Sequence, residues 1–235
     1  MKKTLTLLLL SIALVANSYG HALWIETSTK GQKGVSQKVK IFFGEYASKE
    51  TDSTAKWFSN LKDFKLLLTG PNGNTQELSP TANVLYYEAT FTPKEEGHYT
   101  LSIVHHVKDL YENAKIDYYA LANVFVGKAT INNALRNDLA LSIQPSKPVF
   151  GISQDNPHLV KLNHTPFKNK KITVVGPDQK SETQETNARG VLNFIPKQKG
   201  IYFLEAFYEE EKKGTYEGKN YEKVWHVVTY TNEII

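Results

Sequence analysis

The sequence predicts an all-β protein made of two tandem immunoglobulin-like β-sandwiches. Two observations carry that prediction: an internal repeat, and a succession of short strand-like segments separated by turns. The repeat is the stronger one. Residues 91 to 101 read F-T-P-K-E-E-G-H-Y-T-L and residues 194 to 204 read F-I-P-K-Q-K-G-I-Y-F-L, so Phe, Pro, Lys, Gly, Tyr and Leu recur 103 positions apart. Upstream, Thr69-Gly70-Pro71-Asn72 is echoed by Val175-Gly176-Pro177-Asp178. Two matches in the same order argue for a duplicated unit of about 100 residues, the size of one ordinary domain.

Each unit reads as β throughout. In the first, His21–Ile25, Val39–Phe43, Phe64–Thr69, Val84–Phe91, Tyr99–Val107 and Tyr118–Val126 are rich in β-branched and aromatic residues and bounded by turn clusters. In the second, Leu139–Ile143, Leu159–Asn163, Lys171–Val175, Gly190–Ile195, Ile201–Tyr208 and Val224–Tyr230 repeat the series. Thr54 to Leu61 reads as one short helix. About seven short strands per 100 residues is the spacing of an immunoglobulin-like sandwich. The Gly-x-Tyr-x-Leu segment fits its penultimate strand, which assigns Tyr99 and Tyr202 to the corner where a tyrosine hydroxyl bonds back to the preceding turn. The junction falls at Lys128 to Asn137, dividing a domain over 21–130 from one over 138–235.

Residues 1–20 carry the marks of a secretory signal peptide. Lys2 and Lys3 supply the charged start, Leu5 to Val15 the apolar run, and Ser18 and Gly20 the small residues before a cleavage site. The run is shorter than the roughly 20 residues a spanning helix needs. Cleavage after Gly20 leaves a 215-residue chain starting at His21; cleavage after Ala22 also satisfies the small-residue rule and removes His21. The expected location is the periplasm. The chain has no cysteine, which excludes disulfides, a thiol nucleophile and lipid attachment through an N-terminal Cys. Its formal charge is +4. Without Lys2 and Lys3, 26 basic residues face 24 acidic ones, interspersed, so nothing argues for nucleic acid or an anionic membrane as partner. Phosphate-binding glycine loops, Gly-x-Ser-x-Gly elbows and His-Glu-x-x-His helices are missing, and the chain is read as a non-enzyme.

Topology singles out one end of the first sandwich. Its first strand starts where its second and sixth finish. His21, Glu45 and the pair His105/His106 therefore gather at that end. Alternation along the sixth strand turns His105 inward and His106 outward. An N-terminal His offers α-amine and imidazole as one chelate, and nitrogen-rich sets suit Ni(II) or Cu(II). Neutral imidazole is the binding form, so affinity falls as pH drops through about 6.5. Glu26 and His164 are weaker candidates. His98 is placed at the opposite corner, His158 in a loop, and His226 in a structural position. Glu209 to Lys213 is read as a solvated hairpin.

The segments His21-Ala22-Leu23-Trp24-Ile25-Glu26 and Phe43-Gly44-Glu45-Tyr46-Ala47, with the Asn187-to-Phe194 pattern N-x-x-G-x-x-x-F, add a resemblance. Over nearly the whole mature chain, the protein resembles the NikM-like family of periplasmic accessory proteins of nickel/cobalt uptake. That resemblance implies a protein that captures or hands on Ni2+ or Co2+ beside an inner-membrane metal importer. It places weight on His21, Glu26 and Glu45 and implies no catalytic residue. The assignment of His105 and His106 rests on topology alone. Alternatives are a periplasmic copper carrier binding Cu2+ through the same His21, a copper enzyme of the polysaccharide-oxidising kind, and a purely structural or adhesin-type module.

Overall fold

The computed structural model describes residues 20–131 and 138–235; residues 1–19 of the signal-peptide assignment and most of the proposed junction lie outside them. Among the described residues, fourteen strands of four residues or more form the framework, seven in each half. The first half holds β1 (Ala22–Thr27), β2 (Gln37–Glu45), β3 (Leu66–Thr69), β4 (Thr75–Leu78), β5 (Tyr87–Phe91), β6 (Gly97–His106) and β7 (Ala114–Val126). The second holds β8 (Leu141–Pro145), β9 (Asn156–Leu162), β10 (Lys171–Val175), β11 (Ser181–Glu185), β12 (Val191–Phe194), β13 (Gly200–Tyr216) and β14 (Lys219–Ile234). The helix expected at Thr54 to Leu61 is instead two 3-10 turns, Thr54–Lys56 and Leu61–Asp63. Among the described residues no helix is long and apolar enough to cross a membrane.

The two halves repeat one plan. In the first, a sheet built on β1-β2-β5 and extended by two-residue strands faces the four strands β4-β3-β6-β7; in the second, β8-β9-β12 faces β11-β10-β13-β14. These are immunoglobulin-like sandwiches, as the strand series predicts. The repeated residues have repeated jobs. Tyr99 Oη donates to the Glu95 carbonyl at 2.9 Å, and Tyr202 Oη accepts from the Lys197 N–H at 2.9 Å. Gly97 (φ 137°) and Gly200 (φ 127°) lie flat against Pro71 and Pro177, where a Cβ would come within 2.6 and 2.8 Å of the proline ring. The Gly and the Pro of each copy therefore recur together because they touch.

The four-strand sheets are not separate. β7 and β14 pair in parallel, Asp117 opposite His226 and Leu121 opposite Tyr230, which joins them into one continuous sheet. The sandwiches lie on opposite faces of it. Along β7, Ile116, Tyr118, Ala120 and Ala122 enter the first core while Tyr119 and Leu121 enter the second. A strand buried on both faces reads as a near-continuous apolar run, which Tyr118 to Val126 shows with Asn123 as its one polar residue.

β1 ties the first small sheet to this central sheet. It pairs with β2 on one side only. On its free side the carbonyls of His21, Leu23 and Ile25 accept from the hydroxyls of Tyr118, Thr229 and Thr231, the first two at 2.8 and 2.7 Å. Edge groups that would otherwise stay unpaired are thereby satisfied. The outward face of β1 packs Ala22 and Trp24 on Val175 and Phe203 of the second half.

Candidate metal and ligand site at the mouth of the first sandwich

The start of β1 lies at the rim of a cavity of about 580 Å³. Its floor is aromatic and aliphatic: Phe43, Tyr118, Phe207, Trp225 and Val227, with Phe58 and Tyr111 at the side. His21, Asp52 and Glu112 supply its ionisable groups. Both halves of the chain contribute, because β13 and β14 run beyond the second sandwich and wall the first. The charged run Glu209 to Lys213 is accordingly part of strand β13, whose turn comes only at Glu217 and Gly218.

His21 and Asp52 are brought together by backbone pairing. Ala22 lies opposite Gly44. Glu50 and Thr51 fold back onto Glu45 and Gly44, and the Asp52 N–H donates to the Phe43 carbonyl at 2.8 Å. Gly44 allows that return. Its φ is 151°, and a Cβ there would sit 2.2 Å from the Glu50 carbonyl oxygen. The His21 ring lies 5.4 Å from the ring of Phe43, and its Nε2 is 3.4 Å from Asp52 Oδ1. The imidazole side chain keeps 43% of its surface. A carboxylate facing Nε2 favours the proton on that nitrogen and leaves Nδ1 as the lone-pair donor, as carboxylates behind metal-binding histidines do.

Glu45, His105 and His106 share this end of the sandwich but do not converge. Glu45 ends β2 beside Glu50 and is not part of the cavity lining. His105 turns inward, as alternation requires, and its Nε2 lies 3.2 Å from Asn60 Oδ1. Burial, helped by neighbouring His106, pushes its pKa down. His106 turns to the opposite sheet face, with Nδ1 2.6 Å from Asp117 Oδ1. Glu26 sits on the outward face of β1, accepts from Trp24 Nε1 at 3.0 Å, and has its pKa raised by burial. His164 is an exposed turn residue with φ 64°, in the second half. The structure thus does not bring the expected set together. Among the described residues no three His, Cys, Asp or Glu side chains form a group able to hold a metal ion. For His21 the fit is different: its α-nitrogen and Nδ1, with Asp52 behind the ring, make a two-nitrogen chelate if the chain begins there.

Two histidines depart from their expected places. His158 is a strand residue, fully buried against Phe194 and Tyr230, rather than a loop residue. His98 is buried on β6, with Nε2 2.6 Å from Asn123 Oδ1 and its ring stacked on Phe125. His226 is buried too, its Nε2 3.2 Å from Glu210 Oε2 and its Nδ1 3.1 Å from the Tyr119 hydroxyl. Asp52, Phe207 and Trp225 have no motif to betray them. Asp52 follows from the return of the chain at Gly44, and the two aromatics come from a strand pair remote in sequence.

No family model matches the chain, and no curated protein matches it in sequence. Among solved structures the chain is similar to a Salmonella alpha-2-macroglobulin, with TM-score 0.31 and 9% identity over 92% of this chain and 15% of that one. It is similar also to a 1.5-MDa bacterial ice-binding adhesin, with TM-score 0.26 and 10% identity over 91% of this chain and 64% of that one. A Ca2+-stabilized adhesin of an Antarctic bacterium gives TM-score 0.27 and 8% identity over 91% and 49%. The chain spans less than two thirds of each of these chains. Likenesses this low carry nothing about function.

Proposed function

We propose that the mature chain is a periplasmic binding protein that takes a divalent transition metal, nickel or cobalt, at the rim of the cavity, and serves an inner-membrane importer. The observation that carries this reading is the pairing of His21 with Asp52 at 3.4 Å beside the start of β1. Cleavage after Gly20 frees the α-amine there. The amine and Nδ1 then bind one ion in a six-membered chelate ring closed through Cα, Cβ and Cγ, while Asp52 holds the imidazole. The resemblance to NikM-like proteins points the same way. Copper(II) is the alternative cargo, since it outranks nickel and cobalt at nitrogen sites. The size and aromatic floor of the cavity favour a second reading, in which a small organic ligand is bound with or without the ion.

Equilibrium titration of the chain starting at His21 with Ni2+, Co2+ and Cu2+ tests the proposal. His21→Ala should abolish tight binding, and Asp52→Asn should weaken it on the order of tenfold. Retention of wild-type nickel affinity by His21→Ala would sink the metal reading and leave the organic-ligand reading.

A further inference from the structure

The cavity floor is one transverse row of the central sheet. Phe207 of β13 stands opposite Val227 of β14, which in turn stands opposite Tyr118 of β7, and all three line the cavity. The next row on the same sheet face is Glu205, Thr229 and Ala120. Glu205 thus lies one strand repeat, roughly 7 Å along the backbone, from the floor. Only 7% of its surface is exposed. Among the described residues no hydrogen bond or ion pair reaches its carboxyl group, and the hydroxyl of Thr229 beside it is spent on the Leu23 carbonyl. Burial pushes its pKa up to about 8. The phenol of Tyr118 has its own pKa raised by burial and, next, by the charge of Glu205, so that charge is felt at the floor. A buried carboxyl without a partner is costly, and a neighbouring cation is what relieves it.

The cavity is built to take one. Its 580 Å³ is the size of sites that hold small organic molecules. The Trp225 ring lies 6.0 Å from that of Phe207 and 5.8 Å from that of Tyr111. Glu209 anchors the indole, accepting from Trp225 Nε1 at 2.6 Å. Rings of this kind attract cations, and Trp225 already does: Lys223 Nζ stands 5.0 Å from its centroid, neutralised by Glu209 at 2.9 Å. The lining carries the carboxylates of Asp52 and Glu112, and among the described residues it holds no lysine or arginine. An anionic ligand would meet acids here, and a neutral one would leave Glu205 unpaired. An organic cation matches both the rings and the charge.

We propose that the cavity binds an organic ammonium ion with an apolar, ring-sized body, the body against Trp225, Phe207 and Tyr118 and the charge toward Glu205. The inference rests on the organic-ligand reading of the cavity and not on the metal reading.

Isothermal titration of the exported chain, stripped of metal with a chelator and dialysed, tests it with three probes of one shape: tryptamine, neutral tryptophol and anionic indole-3-propionate. Tryptamine should bind about tenfold or more tighter than tryptophol, and indole-3-propionate weakest. Glu205→Gln should remove that preference, weakening tryptamine about tenfold while leaving tryptophol unchanged. Trp225→Leu, which keeps an apolar wall but removes the ring, should cost tryptamine more than tryptophol. Tryptophol or indole-3-propionate binding as tightly as tryptamine overturns the inference and leaves the organic-ligand reading standing. Failure of all three to bind overturns both. An undiminished preference in folded Glu205→Gln overturns the inference as well. Should that variant not fold, the comparison of the three probes on the wild type decides. With metal absent throughout, the outcome is independent of whether nickel binds.

Discussion

His158 gives the most quantitative expectation. It is fully buried on β9, its ring 5.5 Å from that of Phe194 and 5.0 Å from that of Tyr230. Its Nδ1–H donates to the Asn156 carbonyl at 3.0 Å, and Nε2 has no partner among the described residues. Burial outweighs that hydrogen bond and depresses the pKa to about 4 from an ordinary 6.5. A base with a depressed folded pKa is protonated first in the unfolded chain. Its stabilisation is complete above about pH 6.5 and drains as pH falls toward 4. At about pH 4.5 the unfolded histidine has gained its proton and the folded one mostly has not. Two pH units at 1.36 kcal/mol each give a loss of roughly 2.5 kcal/mol. His158→Phe keeps the ring stack and removes the titration. Urea unfolding at about pH 7.5 and pH 4.5 should show wild type losing roughly 2.5 kcal/mol more than the variant. That is a midpoint difference on the order of 1 M. An equal loss in the two proteins would refute the assignment of the pH dependence to this buried ring.

Two further expectations concern the seam and the rim. Asp117→Asn should destabilise by about 3 kcal/mol, since it leaves Lys115 and His106 facing a neutral group at a site only 4% exposed. Burial pushes the Asp117 pKa up, but the bonds from His106 and Lys115 outweigh it and hold the carboxyl below its usual range. Its contribution should therefore persist down to about pH 3.9 and fade below that, which chemical denaturation at stepped pH would read. Gly44→Ala should cost about 2 kcal/mol or more, because a Cβ meets the Glu50 carbonyl at a positive φ. It should also move Asp52 away from His21, so reduced nickel affinity in that variant would accompany the lowered unfolding midpoint.

Much of the fold is legible in the sequence because its causes are local. Strand residues alternate or run apolar according to the faces they bury, and the repeated Pro, Gly and Tyr mark corners that each copy builds within a few residues of itself. What escapes that reading is polar: β4 and β11 are exposed edge strands with sequences T-Q-E-L and S-E-T-Q-E, which carry no apolar period. His158 is misplaced for a related reason, since a histidine after Pro157 looks like a loop until β9 is seen between β8 and β12.

The site was only half visible. Strand direction alone brings His21, Glu45 and the two histidines of β6 to one end of the first sandwich. Direction does not say which way a side chain turns or what stands between. Pairing at Gly44 gives His21 to Asp52, Asn60 takes His105, and Asp117 draws His106 to the other sheet face. Two sandwiches, and the end at which β1 begins, follow from periodicity and from alternating strand direction and can be read along the chain. The parallel pairing of β7 with β14, and the walling of the first half's cavity by the second, emerge only once the chain is folded. These depend on contacts between strands about 100 residues apart, where no local pattern in either strand specifies its partner.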